Sequence, residues 1–300
     1  MSANIDPIYH YRKKQELEVD KRDLTSTIFN IELNVCEICN RRCVFCVHSE
    51  PERFANNKNL MSVETARLIA EDLGRMAYGQ RGQSVSIAGF GEPLLNGDLE
   101  KIVETVRNHA PDTMISIITN GDLLTAGRIN ALTAAGADMF EIDLYDGPDQ
   151  AERFESLFSS AGQKNYLLRH HYFGKEKDYG LTLNNWSGAK ASVKNIPLPM
   201  ASPCHIPFYK MFIDYNGDFL LCCVDWGRRG KIKANIRGTS ISEFWLSEEM
   251  KQYRLKLIGG RRDQVPCRDC DIIGTLHGQE SFDAFKDCYG NQPCDHASKL

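Results

Sequence analysis

The amino-acid sequence predicts an α/β fold with a parallel sheet. Short apolar runs typical of strands alternate with stretches of about 10 to 15 residues that have the apolar spacing of helices. Elements that alternate in this way form βαβ units, in which helices cover the faces of a parallel sheet. The predicted strands lie near 29–35, 84–88, 114–118, 139–144 and 165–172, and the predicted helices between them lie near 63–78, 98–109, 125–135 and 149–160.

The start and end signals of these elements support the assignment. Residues 1–27 form a polar N-terminal extension that has room for one short helix, and the first strand follows as the apolar stretch Ile28 to Val35. The first helix begins at Ser62, a residue type that caps helix N-termini. The third helix is ended by Gly136, because glycine readily adopts the left-handed conformation that closes a helix.

A second unit follows the βα repeats. The proline-rich junction Pro199 to Pro207 marks the boundary. The segment 211–224 reads as a β-hairpin that turns at Asn216-Gly217, and a helix from Ser240 to Leu257 follows. The tail contains a helical stretch over Ser281 to Asp287. The predicted domains are an extension at 1–27, a βα domain at 28–198, a small α+β domain at 199–275 and a tail at 276–300.

The composition excludes several classes of function. The 300 residues carry a formal net charge of −4 with a pI near 6.1. The chain therefore has no excess of positive charge of the kind that binds duplex nucleic acid or an anionic membrane. No apolar run approaches the ~20 residues that span a bilayer, and the N-terminus has no signal-peptide core, which predicts a cytoplasmic protein. In that compartment the 11 cysteines indicate metal ligation instead of disulfides.

Three cysteines follow the first strand at the spacing C-x3-C-x2-C. Cys39, Cys43 and Cys46 supply three thiolates, and the aromatic residue Phe45 stands directly before the last of them. Four-iron clusters normally take four cysteine ligands, so a loop with three leaves one iron open to bind a small molecule. This pattern resembles the signature of the radical S-adenosylmethionine (radical SAM) enzymes.

A second motif strengthens the resemblance. The strand at 84–88 runs into Gly89-Phe90-Gly91-Glu92-Pro93, which is similar to the glycine-glycine-glutamate-proline segment of that family. Phe90 departs from the family's second glycine and could narrow the ligand space, because glycines let a ligand approach the backbone closely. Alone the segment reads as an ordinary strand-ending turn, but behind the cysteine loop it indicates a SAM site.

The resemblance implies a fold, a cofactor and a set of contacts. The fold is a partial (β/α)6 barrel, and the cysteine triad would hold a [4Fe-4S] cluster whose open iron chelates SAM. The segment 119–121 also reads as a plain Asn-Gly turn, and this alternative stays open. The implied contacts are Phe45 with the adenine, Gly89, Gly91 and Glu92 with the methionine ammonium, and Thr119 and Asn120 with the ribose.

Four further cysteines are similar to the twitch form of the SPASM domain, which holds one auxiliary [4Fe-4S] cluster. Their spacing is C-x12-G-x4-C followed by C-x2-C. A full SPASM pattern would continue with more cysteines, but Leu276 stands where the first of them is expected. A structural zinc site is the alternative, since four thiolates from a hairpin and a C-x2-C are ordinary zinc ligands. The predicted ligands are Cys204, Cys222, Cys267 and Cys270.

Residues at the ends of the later strands are candidates for substrate contact or proton transfer, because the chemistry of such barrels lies where strands end. Adjacent strand residues face opposite ways, so either Arg169 and His171 or His170 faces the interior. The run Asn184-Asn185-Trp186 is a further candidate. Cys223, next to a predicted ligand, points either into the core or toward the active site.

Two reactions fit these cofactors. In the preferred one, hydrogen is removed from a carbinol carbon of a small sugar-like or aminocyclitol substrate, and the auxiliary cluster accepts the remaining electron to give a ketone. In the other, a thiol such as Cys223 or Cys288 returns hydrogen and gives an epimer. Peptide modification and a non-enzymatic iron–sulfur carrier are further alternatives. We expect an external one-electron reductant such as flavodoxin or ferredoxin, and neither a nucleic-acid nor a membrane partner.

Overall fold

A computed structural model describes residues 5–6, 19–147, 149–170, 184–190, 197–230, 232–272 and 278–290. The strands in these parts are β1 (Ile5–Asp6), β2 (Asn30–Asn34), β3 (Ser84–Ala88), β4 (Met114–Thr119), β5 (Met139–Leu144), β6 (Tyr166–His170), β7 (Lys210–Ile213) and β8 (Phe219–Leu220). They form one sheet in the order β1-β6-β5-β4-β3-β2-β7-β8. All neighbours are parallel except β7 and β8, which pair in the antiparallel sense.

Helices follow the central strands and pack beside one another. The described helices are α1 (Val63–Arg75), α2 (Leu99–His109), α3 (Ala126–Ala135), α4 (Asp149–Ser160), α5 (Ile206–Tyr209), α6 (Ile241–Trp245), α7 (Glu248–Ile258) and α8 (Gln279–Gly290). Helices α1 to α4 follow β2 to β5 in turn and form an adjacent row, so the predicted βα alternation of a partial barrel is confirmed. None of the helices in the described parts is both long and apolar enough to cross a membrane.

Three elements differ from the sequence expectation. The hairpin strand β7 lies parallel to β2 and extends the main sheet, which gives the outer edge of β2 a backbone partner. The short strand β1 pairs with β6, although its two residues offer no apolar run from which to predict a strand. The helix expected from Ser240 to Leu257 is two helices, because Ser240 caps α6 and Ser247 caps α7.

The two faces of the sheet bury different side chains. One face carries the apolar core under the helices, with residues such as Ile31, Ile87 and Ile117 fully buried. The alternate positions are polar and contact one another: Asn30 Nδ2 donates to Ser84 Oγ and to Ser86 Oγ at 2.9 Å. Barrel interiors are usually filled by branched apolar residues. The polar interior here leads toward the carboxyl edge of the sheet, where the candidate site lies.

Candidate active site

A cavity of about 400 Å³ opens at the carboxyl edge of the sheet. Most of its walls come from the ends of β2, β3, β4 and β5 and from the loops that follow them, because the carboxyl ends of parallel strands meet at one edge. Residues that are far apart in sequence therefore line one space. The predicted residues among them are Cys39, Cys43, Cys46, Phe45, Gly89, Gly91, Glu92, Thr119, Asn120 and Arg169.

The three-cysteine loop is fixed to the barrel by polar contacts. The Asn56 side chain accepts from the Cys39 amide at 2.8 Å and donates to the Cys39 carbonyl at 3.0 Å. The guanidinium of Arg41 donates twice to Asp122, at 2.6 Å, and twice to Asp146, at 2.7 Å. These two aspartates follow β4 and β5. Bidentate pairs of this kind fix geometry as well as adding energy, so Arg41 ties the loop across two strand ends.

The chemistry of the loop fits an iron cluster. Burial raises the pKa of Cys43 to about 12 and that of Cys46 to about 11, and a bound iron cluster would favour the thiolate forms, because cysteine ligates a metal without its proton. No three His, Cys, Asp or Glu side chains of the described ranges converge closely enough for a single metal ion. A four-iron cluster places its cysteines on separate irons and needs no such convergence.

The Gly89–Glu92 turn lies directly against the cysteine loop. Gly89 has a φ of +107°, and a Cβ there would overlap Asn34, while a Cβ on Gly91 would overlap the carbonyl oxygen of Cys36. Only glycine is compatible with this approach. The Phe90 ring is 1% exposed and packs on Phe212, with ring centroids 4.7 Å apart. Phe90 also belongs to the lining of the cavity, and the narrowing of the ligand space stays a prediction.

Glu92 joins the two predicted SAM motifs. Its Oε1 accepts from Thr119 Oγ1 at 2.6 Å and from the Leu94 amide at 3.0 Å, and its Oε2 accepts from the Asn120 amide at 2.9 Å. Burial raises the pKa of Glu92 to about 7, and these three donors lower it in part. A buried carboxylate that faces a cavity suits an ammonium group.

Of the predicted catalytic residues that the structure describes, Arg169 lines the cavity and Cys223 does not. Arg169 lines the cavity, and its guanidinium donates to Asp143 at 2.6 Å and to Glu141 at 2.9 Å. His171 and the side chain of His170 lie outside the described residues. Cys223 is absent from the described lining of the cavity. Cys288 lies on α8 and is disulfide-bonded, so the expectation that it is a hydrogen-donating thiol is wrong. Helix α8 contacts the 24–27 turn at the amino end of β2, away from the cavity.

Asn184 and Trp186 of the further candidate run do line the cavity. The Trp186 indole donates to the Phe45 carbonyl at 2.7 Å, so it also supports the cysteine loop. Asn185 points elsewhere: its side chain donates to the Asp269 carbonyl at 2.8 Å, beside the second cysteine site. The run therefore links the two cysteine sites.

The four other predicted ligands line a second, small cavity of their own. Arg262 draws the two ends of this site together, since it donates to the Ser202 and Pro203 carbonyls at 2.8 and 2.9 Å and to the Ile272 carbonyl at 2.8 Å. Burial raises the pKa of Cys204 to about 11, and the positive charge of Arg262 acts in the opposite direction. The cationic, apolar surroundings fit a buried cluster of thiolates. The four cysteines are Cys204, Cys222, Cys267 and Cys270.

Sequence reasoning missed several residues of the site. Arg41 and Arg262 belong to no recognised motif, although Arg41 lies inside the cysteine loop. Asp143 and Tyr145 end a predicted strand, where the sequence places the chemistry of such barrels, but the sequence assigned no role to either residue. Tyr145 donates to Asp143 at 3.0 Å, and its ring lies 5.4 Å from that of Phe45, measured between centroids.

Comparison with known families gives two matches. Residues 33–165 match the model of the radical SAM superfamily, and residues 204–271 match that of the SPASM iron-sulfur cluster-binding domain.

Two curated relatives match this chain to very different extents. The S-adenosyl-L-methionine-dependent 2-deoxy-scyllo-inosamine dehydrogenase of Niallia circulans is 26% identical over 258 residues, which cover 84% of this chain and 96% of the relative. A GTP 3′,8-cyclase of Sulfurimonas denitrificans is 32% identical over 94 residues, only 31% of this chain and 28% of that protein. The second likeness is confined to a part of each chain.

Solved structures show the fold. The structure of BtrN in complex with AdoMet and 2-DOIA has a TM-score of 0.69 at 24% identity, and the match covers 83% of this chain and 95% of that one. Native anSMEcpe with bound AdoMet has a TM-score of 0.53 at 14% identity, covering 87% and 97%. Both confirm the architecture.

Proposed function

We propose that this chain, which belongs to the radical SAM superfamily and carries a C-terminal SPASM-type iron–sulfur domain, oxidises a secondary alcohol of an aminocyclitol or sugar to a ketone. The observation that carries the proposal is the pairing, in one chain, of a three-cysteine loop beside a ligand-sized cavity and a closed four-cysteine site. The similarity to the inosamine dehydrogenase supports the reaction class, because it extends over most of both chains.

The residues of the cavity fit the cofactor. When bound, SAM and its [4Fe-4S] cluster supply a 5′-deoxyadenosyl radical, and the auxiliary cluster supplies an electron acceptor. In this proposal the Cys39 loop holds the first cluster, Phe45 faces the adenine and Glu92 receives the methionine ammonium. Gly89 and Gly91 place their backbone beside the same ammonium, and Thr119 and Asn120 border the ribose.

The substrate would occupy the remaining space between β5, β6 and the aromatic wall. Arg169 and Asp143 provide the charged groups there, while Trp186 and Trp226 provide apolar surface that excludes water. A hydroxylated ring with an amino group matches such a mixture of charged and aromatic walls. His171 stays a predicted contact. An external one-electron reductant of the flavodoxin or ferredoxin type would complete the reaction.

The test uses 2-deoxy-scyllo-inosamine as the probe. We expect the reconstituted protein, with SAM and a reductant, to convert it to a product lighter by two hydrogens and to form one 5′-deoxyadenosine per ketone. Deuterium placed on the oxidised carbon should appear in the deoxyadenosine. A product of unchanged mass that gains solvent deuterium would support the epimerase alternative, and no transfer from any aminocyclitol or sugar tested would contradict the substrate class.

A further inference from the structure

Removing two hydrogens from an alcohol requires a group that accepts the hydroxyl proton, and the cavity contains few candidates. The described residues of its lining include three side chains of the imidazole or carboxyl type, which can take up a proton and are not assigned as iron ligands: His48, Glu92 and Asp143. Arg169 is not among them, because a guanidinium in a protein does not lose its proton. Its predicted part in proton transfer must therefore be indirect.

Two of the three acceptors are committed elsewhere. The His48 Nε2 lies 2.6 Å from the Phe90 carbonyl, which can only accept, so this nitrogen carries a proton. The ring is 4% exposed, with Phe54 and Trp226 at its sides. Glu92 is 2% exposed and already accepts three hydrogen bonds from the SAM motifs. Neither group has room to meet a substrate hydroxyl.

Asp143 is placed differently. It stands one residue beyond Ile142, the register partner of Thr119, so it lies beside the end of the cavity predicted to hold the ribose. Its Oδ1 accepts from Arg169 Nε at 2.6 Å, and its Oδ2 accepts from the Tyr145 hydroxyl at 3.0 Å. Each carboxylate oxygen has about two acceptor sites, so a carboxylate can accept from a substrate hydroxyl in addition to protein donors of this kind.

The surroundings also permit this carboxylate to become neutral. If Asp143 were the sole acidic group beside the buried Arg169, protonation of Asp143 would leave the guanidinium charge uncompensated, which is strongly destabilising. Glu141 prevents this, because it accepts from the same guanidinium at 2.9 Å and is absent from the described cavity lining. Burial and the charge of Asp143 raise the pKa of Glu141 to about 7, and the second effect disappears when Asp143 is neutral, so Glu141 can balance Arg169 in that state.

We propose that Asp143 is the catalytic residue that accepts the hydroxyl proton, with Arg169 and Tyr145 as positioning residues and Glu141 as the counter-ion of Arg169. This inference rests on the proposed function. The substrate C–H bond breaks and its hydrogen atom goes to the 5′-deoxyadenosyl group; the O–H bond breaks and its proton goes to Asp143. The remaining electron goes to the auxiliary [4Fe-4S] cluster as the C=O double bond forms.

The experiment compares Asp143→Asn with Asp138→Asn, using 2-deoxy-scyllo-inosamine deuterated at the oxidised carbon. Asp138 is a matched control, since it lies just before the same strand β5 and pairs with an arginine, Arg107, outside the cavity. We expect Asp143→Asn to transfer deuterium to deoxyadenosine but to lose ketone about 100-fold or more, the usual range of general-base catalysis. Asp138→Asn should keep both within about twofold.

A readout independent of turnover separates proton transfer from binding. Equilibrium dialysis of the probe with SAM, without reductant, should give Asp143→Asn an affinity within about threefold of the wild type. If Asp143→Asn does not fold, Asp143→Ala with added formate takes its place, and formate should restore ketone because a small carboxylate fills the vacated position.

Three results would overturn the inference. Ketone formation by Asp143→Asn near the wild-type level would exclude Asp143 as the acceptor. Equal losses of probe binding, deuterium transfer and ketone, without rescue by formate, would make Asp143 a binding residue. Failure of the wild type to transfer deuterium from the probe would refute the proposed function, and this inference with it, whereas the first two results leave that function standing.

Discussion

The two cysteine sites of this chain differ in what surrounds them. The three cysteines of the N-terminal loop face a cavity of about 400 Å³ that also contains acidic, basic and aromatic side chains. The four cysteines of the second site enclose a small space, and Cys222 and Cys270 are each 6% exposed. The first arrangement leaves room for a ligand at the metal, and the second leaves none. One chain thus separates a site for chemistry from a site suited to hold or pass an electron.

The sites also differ in how they are held. The loop depends on polar contacts between segments, chiefly Arg41 with the two aspartates beyond β4 and β5. The second site is built into the apolar core, in which Cys222 and Cys270 are members, and Arg262 bonds only to backbone carbonyls and a few neighbouring side-chain atoms. The cysteines of an open site must stay partly exposed. The hydrogen bonds and ion pairs of Arg41 with Asp122 and Asp146, which we call the polar clamp, therefore replace core packing there.

Removing the loop cysteines should have the largest effect. In Cys39→Ala/Cys43→Ala/Cys46→Ala we expect iron after anaerobic reconstitution to fall from about eight to about four per chain, because one four-iron cluster is lost. Deoxyadenosine formation should stop. Iron and sulfide analysis with product assays measures both. Cys36→Ala is the control, since Cys36 is a buried cysteine of the same loop whose thiol donates to the Ile38 carbonyl. Full iron in the triple variant would contradict the assignment.

Removing one cysteine ligand of the closed site should separate SAM cleavage from ketone formation. In Cys267→Ala we expect iron to fall to about four, SAM cleavage to continue, and ketone per deoxyadenosine to drop at least tenfold, because the electron acceptor is missing. Cys223→Ala is the matched control: it changes the neighbour of a predicted ligand and should keep about eight irons. Retained zinc with about four irons in the wild type would instead make this site structural and would weaken the case for dehydrogenation.

The sequence predicted those parts of the molecule that depend on local patterns. The βα elements followed from apolar periodicity, and the cavity residues from two motifs and from their position at strand ends. Pairings between distant segments were not predictable. The contact of Arg41 with Asp122 spans 81 positions, and that of Asp143 with Arg169 depends on the register of β5 against β6. Likewise, nothing in the hairpin sequence indicates that β7 pairs with β2.

The polar clamp of the open site gives the smallest predicted effect. In Arg41→Met the side chain keeps its approximate length but loses four hydrogen bonds to Asp122 and Asp146. The loop cysteines remain, so we expect iron content to stay near eight while SAM affinity, measured by equilibrium dialysis, falls about tenfold, equivalent to ~1.4 kcal/mol. Added salt should weaken SAM binding to the wild type more than to the variant, because partly exposed ion pairs are screened.

The control for this variant is Arg42→Met, the exposed neighbour in the same loop. It removes an equal charge without touching the clamp, so its SAM affinity should match the wild type within about twofold. Equal losses in both variants would mean that net charge near the loop, and not the geometry fixed by Arg41, governs SAM binding. If Arg41→Met retains full affinity, other contacts of the loop, such as those of Asn40, Asn56 and Trp186, are sufficient to hold it, and the contrast between a clamped open site and a packed closed site would lose its main support.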